Sequence, residues 1–333
     1  MPAKSKEPQI SSTSKESQAK LAITAARDLS AIRENRCVEM FGRSRLSENA
    51  TILANRHASQ QLLGSSACKA GFAVDEFEKI RARNQADLRR FAGEKRAEAI
   101  KCAAARQHAL IESIDYRRKG LGVLQATPPS PFYVTLEKPF LIWATHPYLL
   151  GDTHVEPWNS WAKFKFDSGS TYGAEQFTFY YLWENPSDRY AVVNIDGYII
   201  VNGHCQVGQD GGNFPGDRFA SVALTAQLFP LEWWNQPPTS PLQQADQTQL
   251  AFSLRTQEPA GFFDPGEIDA ANAFRGCDVR YSLFVLPPHG VTVIEVALTA
   301  SWGTGTDGGH VFLDFDTGDF KVMSPFVLIA VLT

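Results

Sequence analysis

Side chains able to do chemistry gather in a few places. The segment "THPYLLGDTHVEPW" brings His146, Asp152, His154 and Glu156 together. Neutral imidazole and carboxylate suit zinc or a non-haem metal. The spacing follows no established ligand pattern, and the composition is that of a loop. The plainer reading is that these groups are solvated or cap a turn. No metal is assigned, and His146, Asp152 and His154 are the residues that would hold one.

Paired carboxylates occur in "HVFLDFDTGD". On a strand, Asp314 and Asp316 would share a face with Phe312, while Val311, Leu313 and Phe315 take the other. Carboxylates two apart along a strand lie about 6.5–7 Å from each other, which is within glycosidase range. The same alternation describes the solvent side of an outer strand. Glu295, in "VTVIEVAL", has apolar neighbours on both faces, and its plain reading is an outward position beside a cross-strand partner. No catalytic residue is assigned, and Asp314, Asp316 and Glu295 are the candidates. The chain contains no GxSxG, HExxH, P-loop or dinucleotide fingerprint. "GQDGGNFPGD" at 208–217 joins strands and opens no helix, so it lacks the amide-lined terminus that holds phosphate. It reads as a surface loop.

Candidate ligand contacts sit on long connections. Trp233 and Trp234 adjoin a proline-rich stretch in "PLEWWNQPPTSP". Phe262 and Phe263 lie in "EPAGFFDPGEIDAANAFRG", residues 258–276, which reads as a long aromatic loop. Such loops in compact domains commonly contact something, although one folded over its own cluster is equally consistent. In "FTFYYLW", Phe177, Phe179, Tyr181 and Trp183 point one way, while Thr178, Tyr180 and Leu182 point the other. Four aromatics on one face could grip a sugar. The area they would bury favours one wall of a core instead.

The elements that must carry these residues follow two periods. Residues 1–14 read as a disordered tail, and 15–120 as a helical assembly region. Residues 121–131 form a Pro/Gly linker, and 132–333 an all-β domain. Helical stretches over 17–40 and 47–63 precede a long helix over about 72–118. Its apolar stripe is Phe77, Ile80, Leu88 and Phe91, continued by Ala99, Cys102, Ala105 and Ala109. So thin a stripe needs partners, either the preceding helices or other copies. Gly120 and Gly122 end it. From Phe132 the period is two, in eleven short runs separated by turn residues. One of these is interrupted only by Asp196-Gly197, read as a bulge in preference to a hairpin. The apolar C-terminus "FVLIAVLT" reads as a central strand. The fold class is therefore segregated α+β, a helical N-terminal region followed by a jelly-roll-like β-sandwich.

Residues 1–120 hold 23 Lys and Arg against 14 Asp and Glu, a net of +9, and the remainder holds 9 against 22, a net of −13. Unlike halves should attract, within the chain or between subunits. Acidic residues interrupt the basic ones of the long helix, which argues against a nucleic-acid stripe. Five cysteines without a CxxC pair give neither a disulfide framework nor a zinc pattern. The polar N-terminus and the lack of a long apolar run fit a cytoplasmic protein, with signal-independent release left open.

The expected function is non-enzymatic: oligomerisation through the helices, with a β-sandwich head presented to a ligand or partner. The expected partners are a second copy or a companion protein, with carbohydrate as the candidate ligand. No cofactor is expected. The alternatives are a carbohydrate-active enzyme on a jelly-roll scaffold and a membrane-acting, pore-forming effector using the helices.

Overall fold

The computed structural model describes residues 74–126, 132–169, 172–212, 219–232, 249–256, 264–305 and 309–332. The tail, the two earlier helical stretches, the proline link 127–131, and Trp233, Trp234, Phe262 and Phe263 all lie outside these residues.

Helix α1 spans Val74–Ala126 and is about 80 Å long. It runs through Gly120 and Gly122, where glycine predicts a stop. A glycine inside a helix costs only about 1 kcal/mol relative to alanine, which neighbouring turns can absorb.

The remaining chain forms two antiparallel sheets. The first has eight strands: β1 (Phe132–Leu136), β3 (Leu150–His154), β4 (Trp161–Ser168), β6 (Ala191–Gly212), β9 (Asp264–Leu286), β11 (His310–Phe315), β12 (Lys321–Met323) and β13 (Val327–Val331). The second has five, in the order β2 (Leu141–Ala144), β5 (Tyr172–Glu184), β10 (Val291–Thr304), β7 (Ala220–Glu232) and β8 (Gln249–Arg255). Segregated helix and β-sandwich are thus the architecture.

Alternation decides what each sheet buries. Phe177, Phe179, Tyr181 and Trp183 belong to the core between the sheets, as do Val293's neighbours Ile294, Val296 and Leu298 on β10. The aromatic face of β5 is therefore a wall of the fold. Phe164 of β4 stacks on Phe177 at 3.6 Å and on Phe315 at 4.7 Å, tying the two sheets together. The Tyr181 hydroxyl donates to the Ser324 carbonyl at 2.6 Å, which satisfies its polar end in the core. Gly197 lies where the sheets approach closely, since a Cβ there would come within 2.8 Å of Leu228. Strand β13 lies between β1 and β6, so the apolar C-terminal run is an interior strand.

Strand β6 is longer than its composition suggests. It continues through Asp196-Gly197 and past Gly208 to Gly212, so the start of the "GQDGGNFPGD" loop is strand. Its partner β9 replaces most of the expected 258–276 loop with a ladder running from Ala191↔Leu286 to Gly212↔Asp264. Pairing along the whole of β6 overrides the weak strand propensity of "DPGEIDAANAFRG". The irregularity falls at Asn194, whose side-chain oxygen accepts the Leu283 amide at 2.9 Å, with Leu283 at φ 56°.

Helix α1 packs on the outward face of the eight-stranded sheet. Its buried stripe is Ala92, Ala99, Ala103, Leu110 and Ile114. Leu110 and Ile114 meet Tyr198, Ile200, Met323 and Phe326, while Ala99 and Ala103 meet Phe320. The expected stripe is rotated from this one. Ala99 is shared, but Phe91, Ala105 and Ala109 are exposed. The alanines that do bury are small, and let the helix axis approach the sheet.

Candidate functional site

The helix–sheet seam brings the buried Asp314 and His204 together with three part-buried arginines of α1. Arg96, Arg106 and Arg117 recur at about three helical turns on the sheet side of α1. Their guanidiniums lie over Phe312 at 5.4 Å, Phe274 at 5.5 Å and Tyr198 at 3.9 Å. Each apolar stem covers sheet surface while its head finds a ring or carboxylate. Arg117 also makes a two-toothed pair with Asp278, at 2.6 and 3.1 Å.

Asp314 sits in this seam and is fully buried. Arg96 donates to its Oδ2 from Nε at 2.8 Å, and the Thr317 hydroxyl donates to the same oxygen at 2.8 Å. The amides of Asp316 and Thr317 donate to Oδ1 at 3.2 and 3.0 Å. Burial pushes this carboxyl's pKa up. The Thr317 and Asp316 donors, with Arg96, outweigh burial and hold it below the ordinary carboxylate range. The expected faces of β11 are correct, with Val311, Leu313 and Phe315 inward. The outward face is not solvent, because α1 covers it.

The three candidate carboxylates do not converge. Asp316 follows Asp314 at the end of β11, while Glu295 is on β10 in the other sheet, facing outward between Tyr180 and Phe229. Sheets pack about 10 Å apart. Side chains on opposite outward faces cannot flank one glycosidic bond.

The candidate metal ligands are also separated in role. His146 Nδ1 bonds Glu175 Oε1 at 2.6 Å. His154 stacks on Trp161 at 5.4 Å, and Asp152 is exposed on β3, in a segment expected to be loop. Among the described residues, no group of three His, Cys, Asp or Glu side chains is placed to hold a metal. Glu175 is buried at the start of β5, on the same face as Phe177. Burial pushes its pKa up and His146 pulls against that shift. Its signal in the sequence was phase, a carboxylate in step with four inward aromatics.

The outward face of the five-stranded sheet is of another kind. Gln227 Oε1 accepts from the Thr299 hydroxyl at 3.2 Å, and Gln176 Nε2 approaches that hydroxyl at 3.4 Å. Three strands thus share one polar rung. Beyond it the outward residues shrink. Ser301, Ala223 and Ser253 form one row across β10, β7 and β8, and Gly303, Ser221 and Arg255 form the next. They shape an open groove of about 460 Å³, lined also by Val222, Leu254 and Trp302. Arg255 stands at its rim, with its guanidinium 5.5 Å from the Phe219 ring. The groove was not legible in the sequence. Serine and alanine on a strand carry no motif, and only the register of three strands aligns them.

Fold and site together define a helix-faced antiparallel β-sandwich with a polar outward groove. No family model and no curated protein matches the chain. Among solved structures, the xylan-binding domain of Xyn10C from Paenibacillus barcinonensis is 10% identical, with 62% of this chain and 99% of that one covered, at a TM-score of 0.20. The mannan-recognising carbohydrate-binding module TmCBM27 is 12% identical over 60% of this chain and 98% of its own, at 0.23. A chain of infectious bursal disease virus, Gx strain, is 11% identical over 62% and 38%, at 0.19. Likeness at these scores carries no weight for fold or function.

Proposed function

We propose that the protein is a non-enzymatic binding module whose β-sandwich takes a polyhydroxylated ligand, a carbohydrate chain, on the outward face of its five-stranded sheet. The observation that carries this reading is the open groove floored by Ser221, Ala223, Ser253 and Ser301, with Arg255 at its rim. The Ser253 hydroxyl and the Arg255 guanidinium supply donors. The Ser221 and Ser301 hydroxyls, which donate to the Gly303 and Ala223 carbonyls at 3.4 and 3.5 Å, keep their lone pairs as acceptors spaced along strands for a sugar chain. Each neutral hydrogen bond contributes only about 0.5–1.5 kcal/mol net. Affinity should therefore be modest and should need several sugar units. The separation of Asp314 and Glu295 onto opposite faces supports binding over hydrolysis.

The test is affinity electrophoresis against soluble neutral and acidic polysaccharides, comparing wild type with Ser253→Trp. Ser253 is exposed, so the indole should fill the groove without disturbing the core. At least a tenfold loss of retention at unchanged melting temperature is expected. Wild-type protein retained by none of the polysaccharides, or a variant retained equally, would contradict the reading.

Assembly through the helical region is the second part of the proposal. Its support is exposed apolar surface on both flanks of α1, Phe91 and Tyr116 on one side of the docked stripe at 44% and 81% exposed and Ile111 on the other at 48%. Light scattering should return a multiple of 36.8 kDa. A single-chain mass at every concentration would remove this part.

A further inference from the structure

Strand β6 carries His204 into the seam beneath α1, where the side chain is fully buried. Neither ring nitrogen has a hydrogen-bond partner among the described residues. The groups facing it come from three elements. Arg96 approaches from α1, Asp314 lies opposite on β11, and the Asn272 side chain on β9 comes near enough to favour the charged ring, though outside full hydrogen-bond geometry. Other charged groups nearby are engaged elsewhere. Lys321 of β12 lies over Trp161 at 5.6 Å, and His310 is bonded to Gln206 at 3.2 Å. The same seam leaves Asn202 Oδ1, Arg106 Nη1 and Gln107 Oε1 unpaired.

We propose that this seam is an acid-operated latch, in which adding a proton to His204 frees α1 from the eight-stranded sheet while the sandwich beneath stays folded. A charged imidazole here would be buried beside the Arg96 guanidinium. Asp314 is the obvious counter-charge, but its two oxygens already accept from Arg96, the Thr317 hydroxyl and two amides. It has little capacity left for a ring N–H. Release of the helix solvates the imidazolium and all the unpaired seam atoms at once. The clusters holding α1 are small and separate from the main core, so the helix can leave as a local unit.

The direction with pH follows from linkage. Burial lowers the pKa of His204, Asn272 and Asp314 pull it back, and Arg96 adds to the lowering. The docked form therefore favours the neutral ring, whereas the freed ring titrates near the ordinary 6.5. Docking is at full strength above that value and declines as pH falls from it through the lowered one. Asp314, also held low, weakens docking only further down, below the ordinary 3.8.

The test is hydrogen exchange of the intact protein between pH 7.5 and 5, corrected for intrinsic rates, comparing α1 amides 92–117 with those of β6. Within the window, one bound proton lowers helix protection about tenfold per pH unit, while β6 holds. His204→Asn should keep α1 protected at pH 5. An undiminished fall in that variant, or no fall in wild type, overturns the proposal. Should the variant not fold, the His204 ring proton followed by NMR in wild type decides the matter. Protonation concurrent with loss of helix protection supports the latch, and protonation with the helix still protected refutes it.

Discussion

On the eight-stranded sheet, β6 turns Tyr198, Ile200, Asn202 and His204 outward, and α1 lies across them. On the five-stranded sheet, β7, β8 and β10 turn out Ser221, Ala223, Ser253 and Ser301, which leave a groove. The inward faces of the two sheets are alike, aliphatic and aromatic, and close one core. What separates the sheets is the other half of the alternation. Large and ionisable outward residues commit one face to the chain's own helix. On the other face, beyond the Tyr180, Leu231 and Val293 cluster and Glu295, small hydroxylated residues at one end leave a groove shaped for a ligand.

The largest effect should follow from breaking the committed face at its charge. Asp314→Ala leaves Arg96 facing a buried void and removes the acceptor for the Thr317 turn. Loss of one partner from a buried pair costs about 3–5 kcal/mol, and the partial exposure of Arg96 puts this case at roughly 3. Urea unfolding that shows less than about 1 kcal/mol would mean the pair matters little to docking. Next in size is a matched pair on α1. Ala103→Leu overpacks against Phe320 and should cost about 1–3 kcal/mol, whereas Ala105→Leu, on the exposed side, should stay within about 0.5 kcal/mol. Equal effects would show that the helix does not dock by the alanine face. Arg106→Ala removes the guanidinium from Phe274 and should cost about 0.5–2 kcal/mol. Raised salt should weaken that contact less than the exposed Arg117–Asp278 pair. The reverse salt ranking would assign Arg106 to long-range charge instead.

Much of the frame was legible from period alone. Phe177, Phe179, Tyr181 and Trp183 announce an inward face, and the apolar C-terminal run announces an interior strand. The rotation of the α1 stripe was not legible, because hydropathy passes over arginine and the true stripe includes Arg96, Arg106 and Arg117. Their recurrence every three turns was the available signal. The strand expected at 280–286 is the end of β9, and the earlier part was hidden by Pro265, Gly266 and Gly276, since its strand state comes from pairing with β6. His146 and Glu175 stand 29 positions apart in the chain, and the groove needs three strands in register. Neither leaves a local mark.

The most direct test of this division of labour is a backbone chemical-shift map of the intact protein titrated with the oligosaccharide it retains best. The account predicts perturbations confined to β7, β8 and β10 around Ser221, Ser253 and Ser301, with α1 and β6 silent. Perturbations centred on α1 and the seam, with the groove unchanged, would contradict it.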